Sequence, residues 1–256
     1  MNDPSMTAQH NGLVLETRSL SRAFGSLRAV DTVNFELHPG ELRAIIGPNG
    51  AGKSTFFAML MGRIAPTEGD ILFEGDRITH LAPHRISQRG VALAFQITNI
   101  FPNLTVADNL RLAVQSRRMS FNPFRSATAQ PEVERRVASV LEEVALAAQR
   151  DELAANLSHG EQKYLEIGLA LATSPRLLLL DEPTAGMSAQ ETAATAALIR
   201  RLSQRVSVIL VEHDMEVVMT IADRITVFHQ GRILAEGAPD EIKANAEVQN
   251  VYLRGA

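Results

Sequence analysis

Eight consecutive residues carry the clearest chemistry in the chain: Gly47, Pro48, Asn49, Gly50, Ala51, Gly52, Lys53 and Ser54. Their order fits the phosphate-loop pattern, in which glycines let the backbone curl so that its N–H groups converge on phosphate oxygens. The apolar run 42–46 ahead of it reads as a buried strand, and the pattern 54–61 behind it reads as a helix, which is the context the motif requires. Phosphates would therefore meet a helix N-terminus and its favourable dipole. Lys53 is placed to reach the terminal phosphates and the Ser54 hydroxyl to ligate Mg²⁺, with Thr55 completing the nucleotide-binding set.

A second chemical site stands at the end of Leu177-Leu178-Leu179-Leu180-Asp181-Glu182, where a buried strand delivers two adjacent carboxylates to the edge of a sheet. Ligands of open α/β folds bind at such edges. Asp181 is the expected Mg²⁺ partner, directly or through water. Glu182 is the candidate to orient and polarise an attacking water, since phosphoryl transfer needs mainly positioning and charge neutralisation. Together the two motifs imply a P-loop nucleoside triphosphatase, a class that holds kinases, GTPases, helicases and transport ATPases.

The elements that must position these residues are legible in the apolar pattern. Val33, Phe35 and Leu37 alternate with Thr32, Asn34 and Glu36, which predicts a half-buried strand and an antiparallel β layer near the N-terminus. Short strand runs at 42–46, 177–181 and 206–211 alternate with helical patterns, so the core is expected to be a mostly parallel α/β sheet. Val133, Val137, Leu141 and Val144 recur at helical spacing after a polar stretch from Ser116 to Pro131, which predicts a helical subdomain carrying a loop. A helix, two short strands about a Gln230-Gly231 turn, and a helical tail from Pro239 to Leu253 are expected at the C-terminal end.

Composition narrows the function classes. The chain has 256 residues, 45% of them hydrophobic, enough for one large domain with a buried core. A net charge of -4 supplies no basic field for nucleic acid, and none is expected as a partner. With no cysteine there is no disulfide and no thiolate metal site, which suits a reducing compartment. No unbroken apolar run approaches the roughly 18 residues that span a bilayer, and the polar stretch 1–12 lacks the apolar centre of a signal peptide, so it is expected to be flexible. Any membrane role would run through a partner.

One further segment separates the triphosphatases. Leu157-Ser158-His159-Gly160-Glu161-Gln162 precedes an apolar helical pattern over 163–172. Alone, it is a helix cap. In company with the two motifs above it resembles the signature of the ABC transporter ATPases, and the resemblance extends over almost the whole chain. It implies a RecA-like ATPase core with an N-terminal antiparallel layer and a helical subdomain at about 97–165, in a single domain spanning 13–253 with a tail from about 239. It also implies that the signature binds the ATP held by the opposite subunit, through the Ser158 hydroxyl and backbone N–H groups at Gly160. Phe24 resembles the aromatic that stacks on adenine, a core phenylalanine being the other reading. Gln96 resembles the glutamine that reaches Mg²⁺ or the attacking water, with a surface glutamine as the alternative. His213 resembles the histidine that bonds the γ-phosphate.

Three positions depart from the family pattern: His159 and Glu161 replace glycine and glutamine in the signature, and Ser188 stands where many members carry an aspartate that crosses the dimer interface. Within the family, Leu165-Glu166-Ile167-Gly168, Ala185-Gly186-Met187, residues 211–215 and Val251-Tyr252-Leu253 are similar to the ATPases of high-affinity branched-chain amino-acid importers and their urea and amide relatives. That likeness implies ATP and Mg²⁺ as cofactors. The implied partners are transmembrane permease subunits, a second ATPase subunit and a periplasmic or extracellular substrate-binding protein. The implied location is the cytoplasmic face of the membrane. Other ABC cargoes, lipopolysaccharide included, and a soluble non-transport ABC ATPase are the alternatives. The segment 97–104, with Ile97, Ile100, Phe101 and Leu104, is the expected surface that couples nucleotide to the permease.

Overall fold

The computed structural model describes residues 12–94, 100–116 and 131–253; the expectations placed on 1–11, on Gln96 and Ile97, and on residues 117–130 lie outside them. Strands β1 (Leu15–Phe24) and β2 (Leu27–Leu37) form a hairpin, after which β3 (Leu42–Ile46) runs through the phosphate loop into helix α1 (Lys53–Leu60). β4 (Glu68–Phe73), β5 (Asp76–Arg77), α2 (Pro83–Arg89) and β6 (Val91–Ala94) follow. Helices α3 (Val106–Ser116), α4 (Pro131–Glu143) and α5 (His159–Ala172) come next, then β7 (Leu177–Asp181), α6 (Ala189–Ser203) and β8 (Ser207–Val211). The chain closes with α7 (Met215–Ile221), β9 (Arg224–His229), β10 (Arg232–Gly237), α8 (Pro239–Ala244) and α9 (Ala246–Val248).

Two sheets result. An antiparallel one has the order β2-β1-β4-β5, and in its β2 strand Val33, Phe35 and Leu37 are buried while Thr32, Asn34 and Glu36 are exposed, as the alternation predicts. The other has the order β10-β9-β3-β8-β7-β6, with β9, β3, β8, β7 and β6 mutually parallel and β10 antiparallel at the edge. Its central strands are covered on both faces, which is why they read as continuous apolar runs. Period-two geometry divides each strand between two cores. Leu178, Leu180, Val208 and Leu210 pack with the helices α3 to α6, while Leu177, Leu179, Ile209 and Val211 pack with α1 and the antiparallel layer.

Arg43 on β3 is buried yet fully engaged: Nε donates to Glu41 at 2.5 Å, Nη1 to Glu236 at 2.7 Å and to Thr226 at 3.0 Å, and Nη2 to the Glu36 carbonyl. A charge inside a seam between sheets is tolerable only with such complete pairing. In the helical layer Val133, Val137 and Leu141 are buried on α4; Val144, just past the helix end, is buried too and keeps an N–H bond to the Val140 carbonyl. The helical tail consists of two short helices and a π turn, Gln249–Leu253. Asn245 makes the break, because its side chain accepts from the backbone N–H groups of Glu247 and Val248 and so caps a new helix.

Candidate functional site

The phosphate loop is held against two other backbones, and this is what its glycines permit. Gly47 has φ +149°, and a Cβ there would stand 2.2 Å from the Phe228 carbonyl oxygen on β9; at Gly52, φ +104°, it would stand 2.3 Å from the Ala29 oxygen on β2. Lys53 is buried, and its Nζ donates to the carbonyls of Gly47 at 2.6 Å and Pro48 at 3.1 Å. The loop thus curls around its own lysine. Burial pushes the Lys53 ammonium below its ordinary pKa, and the charges of Glu182 and Asp181 oppose that shift.

Above the loop lies a cleft of about 550 Å³ lined by residues 49–55, Phe24, Glu182 and His213. Phe24 is 44% exposed, which removes the core reading, and the Arg22 guanidinium carbon lies 4.6 Å from its ring centroid. The carboxylates arrive from β7 as expected. Asp181 pairs in register with Val211 of β8, and the Glu182 N–H donates to the Val211 carbonyl, carrying the pairing one residue beyond the strand. Glu182 then turns sharply, with φ +49°, a left-handed backbone that a glutamate adopts at a cost of about 1 kcal/mol. Its Oε1 lies 2.8 Å from His213 Nε2. Asp181 does not line the cleft, and burial, followed by the neighbouring Glu182 charge, pushes its carboxyl above the usual range.

The signature segment is built differently. Ser158 caps α5 in a reciprocal box: its hydroxyl accepts from Glu161 N–H, and its own N–H donates to Glu161 Oε2 at 2.8 Å. Glu161 Oε1 accepts from Gln149, Gln162 donates back to the Leu157 carbonyl, and the Leu157 side chain is buried in the helical core. Gly160 packs against α6, where a Cβ would meet Glu191 Oε1 at 3.1 Å. These four residues build the turn, leaving Ser158 and His159 exposed at the helix start. None of residues 157–162 lines the cleft of their own chain. The departing Ser188 is a helix cap: its hydroxyl donates to Glu191 Oε2 at 2.7 Å at the start of α6.

Some contributors gave no signal in the sequence. Leu27, Arg28, Ala29, Gln230 and Gly231 also line the cleft. The Gln230-Gly231 turn was recognisable as a turn, with both residues at positive φ, but not as a wall of the site. It is tied in by bonds from Gly231 N–H to the Ala51 carbonyl and from Asp31 N–H to the Gly231 carbonyl.

A separate concavity of about 620 Å³ lies among α2, α3 and α5 and is mostly apolar, with Met61, Phe101, Leu112 and Leu169 beside His84 and Glu166. Of the expected coupling residues, Phe101 is 55% exposed and faces this groove, whereas Ile100 packs on the helical core and Leu104 is half-buried. Among the described residues no helix is long and apolar enough to cross a membrane, and no group of three or more His, Cys, Asp or Glu side chains could hold a metal.

Comparison with known proteins supplies an independent reading. The ABC transporter family model matches residues 30–185, more than half of the chain, and a branched-chain amino acid ATP-binding cassette transporter model matches residues 232–253. The chain is 39% identical over 249 residues to two high-affinity branched-chain amino acid transport ATP-binding proteins, BraF of Pseudomonas aeruginosa and LivG of Escherichia coli. Each match covers 94% of this chain and 97% of the relative. A probable LivG of Archaeoglobus fulgidus is 34% identical over 244 residues, 94% of this chain and 95% of its own. A solved ATP-binding cassette of an ABC transporter in its ADP conformation superposes with a TM-score of 0.83 at 28% identity, covering 94% of this chain and 98% of that one.

Proposed function

The chain belongs to the ABC transporter ATP-binding family, and from that membership we propose that it is the ATP-hydrolysing subunit that energises import of branched-chain amino acids. It is an ATPase with the ABC fold; the assignments that follow, residue by residue, are the proposal. The observation that carries it is the separation of two phosphate-binding devices: the phosphate loop lines the cleft with Glu182 and His213, while the exposed helix start at Ser158 lies outside that cleft. A helix N-terminus with an exposed serine that stands outside its own chain's cleft fits the ATP of a second subunit.

In this reading Phe24 stacks on adenine, residues 47–55 hold the phosphates, and Lys53 leaves its two carbonyl acceptors for the terminal phosphates. Glu182 holds the attacking water, with His213 keeping the carboxylate in line and reaching the γ-phosphate. Mg²⁺ suits the donor set: one hydroxyl, Ser54, and one carboxylate, Asp181, whose pKa is raised by burial and by the neighbouring Glu182 charge. Mg²⁺ binds characteristically through substrate phosphates and one or two protein groups, so a dedicated cage is not required. It would supply charge neutralisation at the β- and γ-phosphates. Gln96 is proposed to reach the same region.

The 620 Å³ groove with Phe101 is the proposed seat of a permease helix, and the site of action is the cytoplasmic face of a membrane beside permease subunits and a substrate-binding protein. Vesicles carrying the co-purified permease subunits test the cargo. ATP-dependent uptake of leucine, isoleucine or valine is expected. Uptake of urea or another solute without any of the three would leave the motor in place and remove the cargo assignment.

A further inference from the structure

Glu212 directly precedes His213 in the chain and belongs to neither the phosphate loop nor the Asp181-Glu182 pair. It follows β8, its side chain is buried, and three donors converge on its carboxylate. Oε1 accepts from the Thr184 N–H at 3.0 Å and from the Thr184 hydroxyl at 2.5 Å; Oε2 accepts from the His213 N–H at 3.0 Å. Thr184 is two residues beyond Glu182, and His213 is the partner of Glu182 Oε1. One buried anion therefore ties together the backbone that follows the water-orienting carboxylate and the backbone of the histidine that meets it.

We propose that Glu212 is a positioning residue for hydrolysis, fixing the segments of Glu182 and His213 relative to each other so that their 2.8 Å contact is kept. The geometry demands it. Glu182 occupies a left-handed backbone conformation, which persists only where the surroundings over-determine it. The bond from Glu182 N–H to Val211 and the Glu212 clamp on Thr184 are two restraints on either side of that bend. A carboxylate serves better than an amide, because all three groups facing it are donors. Glutamine would set its NH₂ against either the Thr184 or the His213 N–H and leave that donor without an acceptor. Lys53 and the phosphate loop make no contact with this clamp in the bonds described, so ATP binding should be separable from turnover.

The inference rests on the reading of Glu182 and His213 given above, and the test distinguishes the two. Mg-ATP hydrolysis and ATP affinity are measured on the full chain for Glu212→Gln, Thr184→Val, Thr184→Ser, His213→Ala, Glu182→Gln and the double variant Glu212→Gln with His213→Ala, each checked for a cooperative thermal transition. Glu212→Gln should lower kcat by roughly 30-fold or more with KM for ATP within about threefold, the pattern of an interaction needed only in the transition state. Thr184→Val should follow it, and Thr184→Ser should retain more turnover than Thr184→Val. In the His213→Ala background the added Glu212→Gln change should cost less than about threefold, since residues that act as a unit are non-additive. If Glu182→Gln and His213→Ala are inactive while Glu212→Gln and Thr184→Val turn over within about threefold of the parent, the positioning role is overturned and the catalytic reading stands. An equal loss in both backgrounds overturns it too. Should Glu182→Gln and His213→Ala keep parental turnover, the catalytic reading falls and the inference with it. If Glu212→Gln does not fold, Thr184→Val decides by the same criteria.

Discussion

Lys53 shows how one side chain can be both a structural tie and a ligand group. Its ammonium is bonded to two loop carbonyls and held in a buried setting that disfavours its charge. Phosphate oxygens supply the missing counter-charge, so Lys53→Ala should weaken Mg-ATP binding by at least tenfold, about 1.4 kcal/mol, in a titration; binding within twofold of the parent would contradict the assignment. Asp181 carries the opposite tension. Its carboxyl is raised chiefly by burial, so the folded chain binds that proton more tightly than the unfolded one. Its contribution to stability is therefore best in acid and falls as pH rises from the ordinary carboxylate range through the raised folded value. At neutral pH, Asp181→Asn should raise the Tm of the nucleotide-free chain, and the gain should vanish below the ordinary carboxylate range. An unchanged or lower Tm at neutral pH would show that the charge carries no folding cost. Lys53, Asp181 and Glu182 stood out in the sequence because their types sit at element ends with fixed spacing, whereas His213 stood out only through the family resemblance. Glu212, Leu27 and Gly231 were not, since each meets the site from a segment whose approach only the tertiary fold determines.

At the scale of elements, the helical layer offers a surface that the parallel sheet does not. The groove among α2, α3 and α5 exposes Phe101 and Leu112, while Ile100, expected to share that role, is spent on the layer's own packing. Charge at Phe101 and Leu112 should therefore leave folding and ATP affinity within about twofold of the parent and abolish co-purification with permease subunits; intact association would place the interface elsewhere. The same change at Ile100 should lower Tm, because it puts a charge against apolar side chains. The strands at 42–46, 177–181 and 206–211 and the α4 helix were readable, since period-two and helical spacing record which face is buried, whereas β4, β5, α2 and α3 were not read. The break inside the tail left no mark in the sequence, because the cap that makes it depends on where the Asn245 side chain turns.

For the whole molecule, residues 157–162 stand outside the cleft that the phosphate loop lines, so in the proposed reading the signature turn serves the nucleotide of another chain. Two chains arranged head to tail would close both sites, each contributing Ser158 and the N–H groups of α5 to its partner's ATP. Of the departing residues, His159 stays exposed at the helix start, and the Ser188 hydroxyl bonds Glu191 at the cap of α6. Hydrolysis would release the closed pair, and the groove on the helical layer would carry that motion to the permease. The most direct measurement is the oligomeric state of Glu182→Gln with Mg-ATP by size-exclusion chromatography, followed by exchange into ADP. The expected result is a stable dimer with turnover nearly abolished, which dissociates in ADP and fails to form when Ser158 is also changed to a bulky residue. A variant that stays monomeric at every concentration while hydrolysing ATP at the parental rate would contradict both the catalytic role of Glu182 and the shared site.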